Sequence, residues 1–560
     1  MSNSTGTRGA ARRVLNNAEL TSIVFSFLKE AAILEAGGLP PEGNAVLRLP
    51  DTWTSQFASW ASVSRAFFSA SVDVLWENMS SVEPFFSTLL PADRETDGKP
   101  MTPLSYYLKG PTEEHWTRFK VYASRTKSLM LDKSSPGIEV GWLLYLMRKV
   151  DSDQPLFPSL KRLFLNSSDN LSLFVAFSVV PSLHLLRIEL DGSDDDSCLA
   201  LTTHLCEQGR RLTQLRLINP FQVRRDILFN ISQLKSITSL YLCFDETVNL
   251  AMLESLESLE RLVLAQKGTV SSDTELPTAV ALEPSLTRTS ALTKLEHLRV
   301  VGDGFAQYEI ARQLSPSTLS TLHLDILPNE PYGHMALLSI VLTIHVTRNR
   351  RLTRLYAGCT SRGRRDADEI AHFREDTKYR NIRPLLTGLA ELTSLEYLQI
   401  RGIPFLSLDI IGEVLGVIGR LSSLRTLCLR PKNITNLAMD QLIRPPIDIL
   451  EAISRGSPQL RELDLNIDAL AIEVPPLAED FTSRSCLEKL TLNPQTHRGP
   501  AHGTAYKLAL AQYLDRLFPQ ATVIGPPNRE NFWEDITTMV AFTQGLRAQT
   551  LRSMPSGSVG

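Results

Sequence analysis

The chain has 560 residues, of which 43% are hydrophobic and 21% charged, with a formal charge of -3 and a pI near 6.4. Such a composition can bury a sizeable core, and it lacks the strong positive field on which general binders of nucleic acid or anionic membrane depend. Six cysteines, scattered between Cys198 and Cys486, do not form a disulfide framework and read as reduced thiols.

The first thirteen residues are small, polar and basic, with no apolar segment behind them, unlike a secretory signal. The best apolar run, 335–346, is interrupted by Ser339, Thr343 and His345 and falls short of the roughly 20 residues a membrane helix needs. The expectation is a soluble protein of the cytoplasm, the nucleus or both.

Residues 14–90 are patterned as helices. Leu20, Ile23, Val24, Phe27 and Leu28 recur at spacings of three and four, which places them on one side of a helix, with Asn16 or Asn17 as its N-cap. A Gly/Pro-rich stretch, 37–41, intervenes. A second helical pattern follows at Phe57, Trp60, Ala61, Val63, Phe67 and Phe68 and runs on to Val72, Leu75 and Trp76. Such a unit suits a three-helix cap that shields the open end of a repeat array.

The stretches VLNNAELTSIVFSFL and WASVSRAFFSASVDVLWENM also resemble the F-box domain of fungal F-box proteins. Leu15 stands at the family's opening leucine and Glu19 at its glutamate. Phe25, Phe27 and Leu28 match the helix end, Val63-Ser64-Arg65-Ala66-Phe67 the middle, and Leu75-Trp76 the close. The family's proline is missing, Asn17 or Ala18 standing in its place, and residues 32–51 form an insertion that the family usually lacks. The resemblance implies that this module holds the Skp adaptor subunit and through it a cullin-RING ubiquitin ligase. The implied contact residues are Leu15, Leu20, Ile23, Phe27, Val63, Phe67, Leu75 and Trp76.

Residues 91–155 read as a transitional capping region. The segments 116–129 and 140–150 have the pattern of helices or of degenerate first repeats.

Residues 156–525 carry a repeat. An apolar residue, two others, Leu, one other and an apolar residue return twelve times, from LKRLFL at 160–165 to LEKLTL at 487–492. The central leucines are 163, 186, 215, 240, 262, 298, 322, 355, 398, 427, 463 and 490, so successive gaps run from 22 to 43 residues. The short gaps match leucine-rich repeats, and the long ones imply insertions. Within each copy the period is two: in LRELDL, Leu463 and Leu465 point to one side of a strand, Glu462 and Asp464 to the other. Parallel strands need crossovers, and 231–234, 252–256 and 411–418 have the spacing of short outer helices. Pro158, Pro181 and Pro458 precede copies and argue against continuous helix.

The repeat resembles the leucine-rich-repeat superfamily, although most copies lack the asparagine that often follows its strand. The expected fold is therefore α/β: a leucine-rich-repeat solenoid, horseshoe-shaped, with a parallel sheet and outer helices, preceded by the small all-helical module. Residues 526–560 are expected to form a last helix over 533–542 and a disordered tail, after a helix at 501–517 and an edge strand at 521–525.

No phosphate-cradling glycine loop, nucleophile elbow or His-Glu-x-x-His helix occurs. Cys198, His204 and Cys206 are the one metal-like cluster, and their spacing fits no common zinc pattern and offers no fourth ligand. The expectation is a non-catalytic protein without cofactor or metal, a substrate-recognition adaptor or else an interaction scaffold that never meets the Skp subunit. Its target would lie on outward strand positions, for which Arg216, Tyr241, Arg299, His323, Tyr397, Arg425, Glu462 and Asp464 are the candidates. Asp191 with Asp194–Asp196, and the arginines at 348, 350, 351, 354, 362, 364 and 365, read as acidic and basic rims that would orient such a partner.

Overall fold

The computed structural model describes residues 17–35, 49–85, 112–132, 146, 155–166, 170–189, 195–221, 225–244, 250–266, 292–314, 318–326, 334–359, 382–401, 408–430, 446–465, 474–478, 481–492, 503–525 and 532–553. Leu15, Asp191, Asp194, Arg362, Arg364, Arg365 and the segment 36–48 lie outside these, as does all of 140–150 except Leu146. The chain divides into two units, Met1–Cys243 and Phe244–Gly560.

The first unit opens with three helices. Helix α1 (Ala18–Glu35) starts at Asn17, whose side-chain oxygen accepts the N–H groups of Glu19 at 3.0 Å and Leu20 at 3.2 Å. Helix α2 (Asp51–Trp60) follows Pro50. The long pattern from Phe57 to Trp76 is not one helix: Ser64 accepts the N–H of Phe67 at 3.2 Å and so begins α3 (Arg65–Glu77) afresh. Phe25 is central to the module's core, its ring 5.6, 5.5 and 5.3 Å from those of Phe57, Trp60 and Phe67. Ala32, Ala70 and Val74 are buried in the same cluster.

Helix α3 runs straight into strand β1 (Asn78–Met79), which pairs with β2 (Ser128–Asp132) after helix α4 (Glu113–Ala123). Strands β3 (Arg162–Asn166), β4 (Leu185–Ile188), β5 (Gln214–Phe221) and β6 (Ser239–Phe244) follow in chain order, each hydrogen-bonded to the one before. Helices α5 (Asn170–Val179), α6 (Asp195–Gln208) and α7 (Arg225–Gln233) carry the chain back. The parallel register puts Leu129, Leu163, Leu186 and Leu215 in one fully buried row. Strand β2 escapes the repeat pattern because Thr126, also fully buried, stands where the other copies have their first apolar residue.

The second unit continues the scheme with β7 (Arg261–Gln266), β8 (His297–Gly302), β9 (Thr321–Ile326), β10 (Arg354–Cys359), β11 (Tyr397–Arg401), β12 (Thr426–Arg430), β13 (Glu462–Leu465), β14 (Lys489–Leu492) and β15 (Thr522–Ile524). Adjacent strands are parallel, and Leu262, Leu298, Leu322, Leu355, Leu398, Leu427, Leu463, Leu490 and Val523 share one row. All of them are buried. A side chain of this kind contributes about 1.5–3 kcal/mol when it leaves water, and no single strand could bury such a face alone. Between strands come a 3-10 segment (Leu250–Ser255) and helices α8 (Gly304–Gln313), α9 (His334–Arg348), α10 (Ile382–Ala390), α11 (Leu408–Ile418), α12 (Ile449–Gly456) and α13 (Thr504–Leu517). A final helix, α14 (Phe532–Ser553), is longer than the pattern 533–542 had suggested.

All twelve copies of the repeat are strands, and the register makes this a leucine-rich-repeat fold with a helical N-terminal module. A hydroxyl just ahead of several copies ties each of them to the copy before. Ser182, Ser236 and Thr318 donate to the carbonyls of Leu160, Leu212 and Leu295 in the preceding copy, at 2.8, 2.7 and 2.8 Å. Among the described residues no helix is long and apolar enough to cross a membrane.

Candidate partner-binding surfaces

Helix α1 has two apolar faces, and among the described residues only one is packed against the rest of the module. Thr21, Phe25, Ala32 and Ile33 are buried, and Leu28 leans on the same core. Leu20, Ile23, Val24, Phe27 and Leu34 are 41–70% exposed. Their spacings of three, four and seven put them on the opposite side, so the apolar stripe read from the sequence faces solvent, with Leu28 alone turned inward. The core takes the other face because Ala32 and Ala70 let the helices approach while Phe25 fills the space between three rings.

Two further apolar residues of the module are exposed, Val63 in the turn before α3 and Phe68 on that helix. Phe67 and Leu75 pack against the core. Trp76 is half-buried, its ring 4.8 Å from that of Phe85 and 4.7 Å from that of Tyr122. At the foot of the module Lys29 and Lys127 meet Glu77 at 2.5 and 3.3 Å. Burial alone would raise the Glu77 carboxyl, but the two ammonium groups outweigh it and hold it below the usual carboxylate range.

The outward rows of the sheet are the second surface. In the first unit Arg216 and Tyr241 sit half-buried on β5 and β6. In the second, Arg299, His323 and Tyr397 belong to a connected cluster on β8–β11. Asp325 accepts from Arg299 at 3.1 Å and lies 2.9 Å from Nε2 of His323. The His323 ring stacks on Tyr356 at 5.1 Å, and Tyr356 on Tyr397 at 4.5 Å. The Tyr397 hydroxyl donates to Gln399 at 2.7 Å. Burial tends to raise the Asp325 carboxyl, yet His323 and Arg299 prevail and lower it. Burial, with Tyr356 adding to it, pushes the Tyr397 phenol up to about 12.

Tyr356, Asp325 and Gln399 are not among the residues the sequence singled out. Tyr356 was within reach, because it occupies the middle outward position of the weakest copy, LTRLYA, as His323 does in its own. Asp325 lies one residue beyond the repeat signature. Of the other candidates, Arg425 is exposed just ahead of β12, and Glu462 and Asp464 lie on β13, where Asp464 accepts from the Cys428 thiol at 3.6 Å.

The Cys198, His204, Cys206 group is taken up internally. Cys198 is buried, His204 Nε2 lies 3.1 Å from the Phe177 carbonyl, and the Cys206 thiol donates to the carbonyls of Thr202 and Asn230. Among the described residues, no group of three or more His, Cys, Asp or Glu is placed to hold a metal ion.

No known family profile matches the chain, and no curated protein does. Among solved structures it is similar to an internalin from Listeria monocytogenes, at 13% identity over 79% of this chain and 86% of that one, with a TM-score of 0.32. It is also similar to the complex of Rad7 and Elc1 from yeast, at 12% identity over 93% of this chain and 96% of that one, with a TM-score of 0.29.

Proposed function

We propose that the chain is the substrate-recognition adaptor of a Skp–cullin–F-box ubiquitin ligase, with its helical module docked on the Skp subunit and a target protein held on the outward face of the repeat sheet. The observation that carries this reading is the stripe Leu20, Ile23, Val24, Phe27 and Leu34, left to solvent on a helix whose other face already fills the module's core. Apolar area of that kind is stabilised by roughly 25 cal/mol per Å² when a partner covers it. Apart from Leu15, which lies outside the described residues, the residues that resemble the F-box lie along this same helix, the turn at Val63 and helix α3. In this reading the chain breaks and forms no bonds. It raises the effective concentration of a target lysine near the charged enzyme.

The test is a calorimetric titration of the full chain with purified Skp subunit. Micromolar or tighter binding is expected, lost in the double variant Leu20→Glu, Phe27→Glu, whose thermal melt stays unchanged. A folded chain that does not bind overturns the adaptor reading.

A second reading, an interaction scaffold whose helices only cap the repeats, has one observation of its own in support. Phe67, Leu75 and Trp76 are used within the chain, Trp76 against Phe85 and Tyr122. It predicts no Skp binding and leaves the sheet face as the partner surface.

A further inference from the structure

The outward positions of β8–β11 hold one carboxylate, Asp325, and it is already engaged by Arg299 and His323. Arg354 and Arg401 on the same face are exposed, and among the described residues neither has a carboxylate partner. Arg401 donates to Gln399 at 3.4 Å. Beside these two cations the rings of Tyr356 and Tyr397 are already stacked, so little side-chain freedom remains to be lost when something is laid over them.

Gly358 completes the arrangement. It occupies an outward position between Asp325 and Arg401 in the register. Gly358 is itself buried, and a Cβ there would lie 3.4 Å from Asp325 Oδ1 and 3.8 Å from Arg401 Cβ, so the missing side chain lets Asp325 and Arg401 draw together at this point of the face.

The sign of the face then reverses. Arg354, Tyr397, Thr426 and Glu462 share one outward row, and Glu462 is exposed. Three strand spacings separate Arg354 from Glu462, about 14 Å, which is the reach of about four extended residues.

We propose that this face binds an extended acidic segment of a partner protein, its carboxylates at Arg354 and Arg401, an apolar side chain over the Tyr356–Tyr397 pair, and a basic residue about four positions away at Glu462. The proposal rests on the reading of the sheet face as the target surface and is independent of the Skp module. A single-stranded nucleic acid is the less fitting occupant, because Glu462 and Asp464 on β13 would repel its phosphates.

The experiment selects a phage-displayed random dodecapeptide library on the immobilised full chain and then measures the recovered peptides by fluorescence anisotropy, with a twelve-nucleotide oligothymidylate as competitor. Selected peptides are expected to be rich in Asp and Glu with Lys or Arg about four positions away. Arg354→Glu with Arg401→Glu should weaken them at least about tenfold. Glu462→Arg should weaken them as well, with its thermal melt unchanged. The proposal is overturned if no peptide is recovered, if the peptides show no acidic preference or ignore the arginine pair, or if the oligothymidylate displaces them. Titration of the same variants with the Skp subunit separates the two readings: failure there with peptides bound here removes the module's role alone.

Discussion

Trp76, near the end of the third helix, packs its ring 4.7 Å from that of Tyr122, near the end of the fourth, and 4.8 Å from Phe85, which in turn meets Phe119 and Phe157. Helix α3 of the module, helix α4 and the segment ahead of β3 therefore share one aromatic cluster, and β1 is continuous with α3. A half-buried tryptophan contributes less than the 3–5 kcal/mol of a fully enclosed one, so Trp76→Ala is expected to cost about 2–3 kcal/mol in urea unfolding. Removing residues 1–91 would take away Trp76, Phe85 and β1 together. Such a truncation should bind a hydrophobic dye through Phe119 and Phe157, which is why point variants are the cleaner probe of the module.

Phe25 and Phe27 are two residues apart and should behave as opposites. Phe25→Ala empties the centre of three ring contacts and is expected to cost about 3–4 kcal/mol. Phe27→Ala removes a ring that is 64% exposed and should change stability by no more than about 0.5 kcal/mol while weakening the Skp partner. Equal melting temperatures for the two variants would contradict the placement of the helix faces.

His345 is buried on α9, and among the described residues its Nε2 has no hydrogen-bond partner. Burial, with the Arg348 charge adding to it, lowers its imidazole to about 4. The unfolded chain therefore takes up a proton near pH 6.5 that the folded chain refuses until about pH 4. Stability on this account is intact above pH 6.5 and declines as pH falls toward 4, by about 3 kcal/mol at the lower end. In His345→Leu that part of the acid limb should vanish from denaturation curves measured between pH 7 and 4.

Arg547 pins the last helix. Its guanidinium donates to both carboxylate oxygens of Asp515, at 2.7 and 3.1 Å, and to the Pro519 carbonyl at 2.8 Å. Burial raises the Asp515 carboxyl even so, with Arg547 opposing it. Arg547→Met leaves a largely buried carboxylate without its fork, at a cost of about 1–3 kcal/mol. Limited proteolysis should then cut within Phe532–Ser553 well before the rest of the unit unfolds.

The twelve repeat strands could be read from the amino-acid sequence because their signal is local: a period of two within six residues, with a leucine pair aimed at one side. The start of α1 is local as well, since Asn17, one of the two caps offered by the sequence, is settled by the next three residues, whereas the fresh start at Ser64 lies inside a pattern that reads as one helix. What escaped had weak local marks. Strand β1 is two residues long, and Thr126 interrupts the pattern ahead of β2. Helix α1 carries apolar residues nearly all round, so its own periodicity could not say whether Phe25 or Phe27 faces the core; helices α2 and α3 decide that, by which face they leave room for.

The sheet face divides in the same way. Alternation alone placed Arg299, His323 and Tyr397 outward, and it would have placed Tyr356 there too. That Asp325 joins Arg299 to His323, that tyrosines from two consecutive strands stack across a long crossover, and that Gly358 lies between Asp325 and Arg401 all follow from the register of β8–β11. Register between strands is set by insertions and crossovers of unequal length, and no six-residue window contains that information. The sequence by itself determined which residues lie on strands and which way they point, because backbone geometry is local. Only the tertiary structure decided which of them meet, because that depends on how the intervening loops bring the strands together.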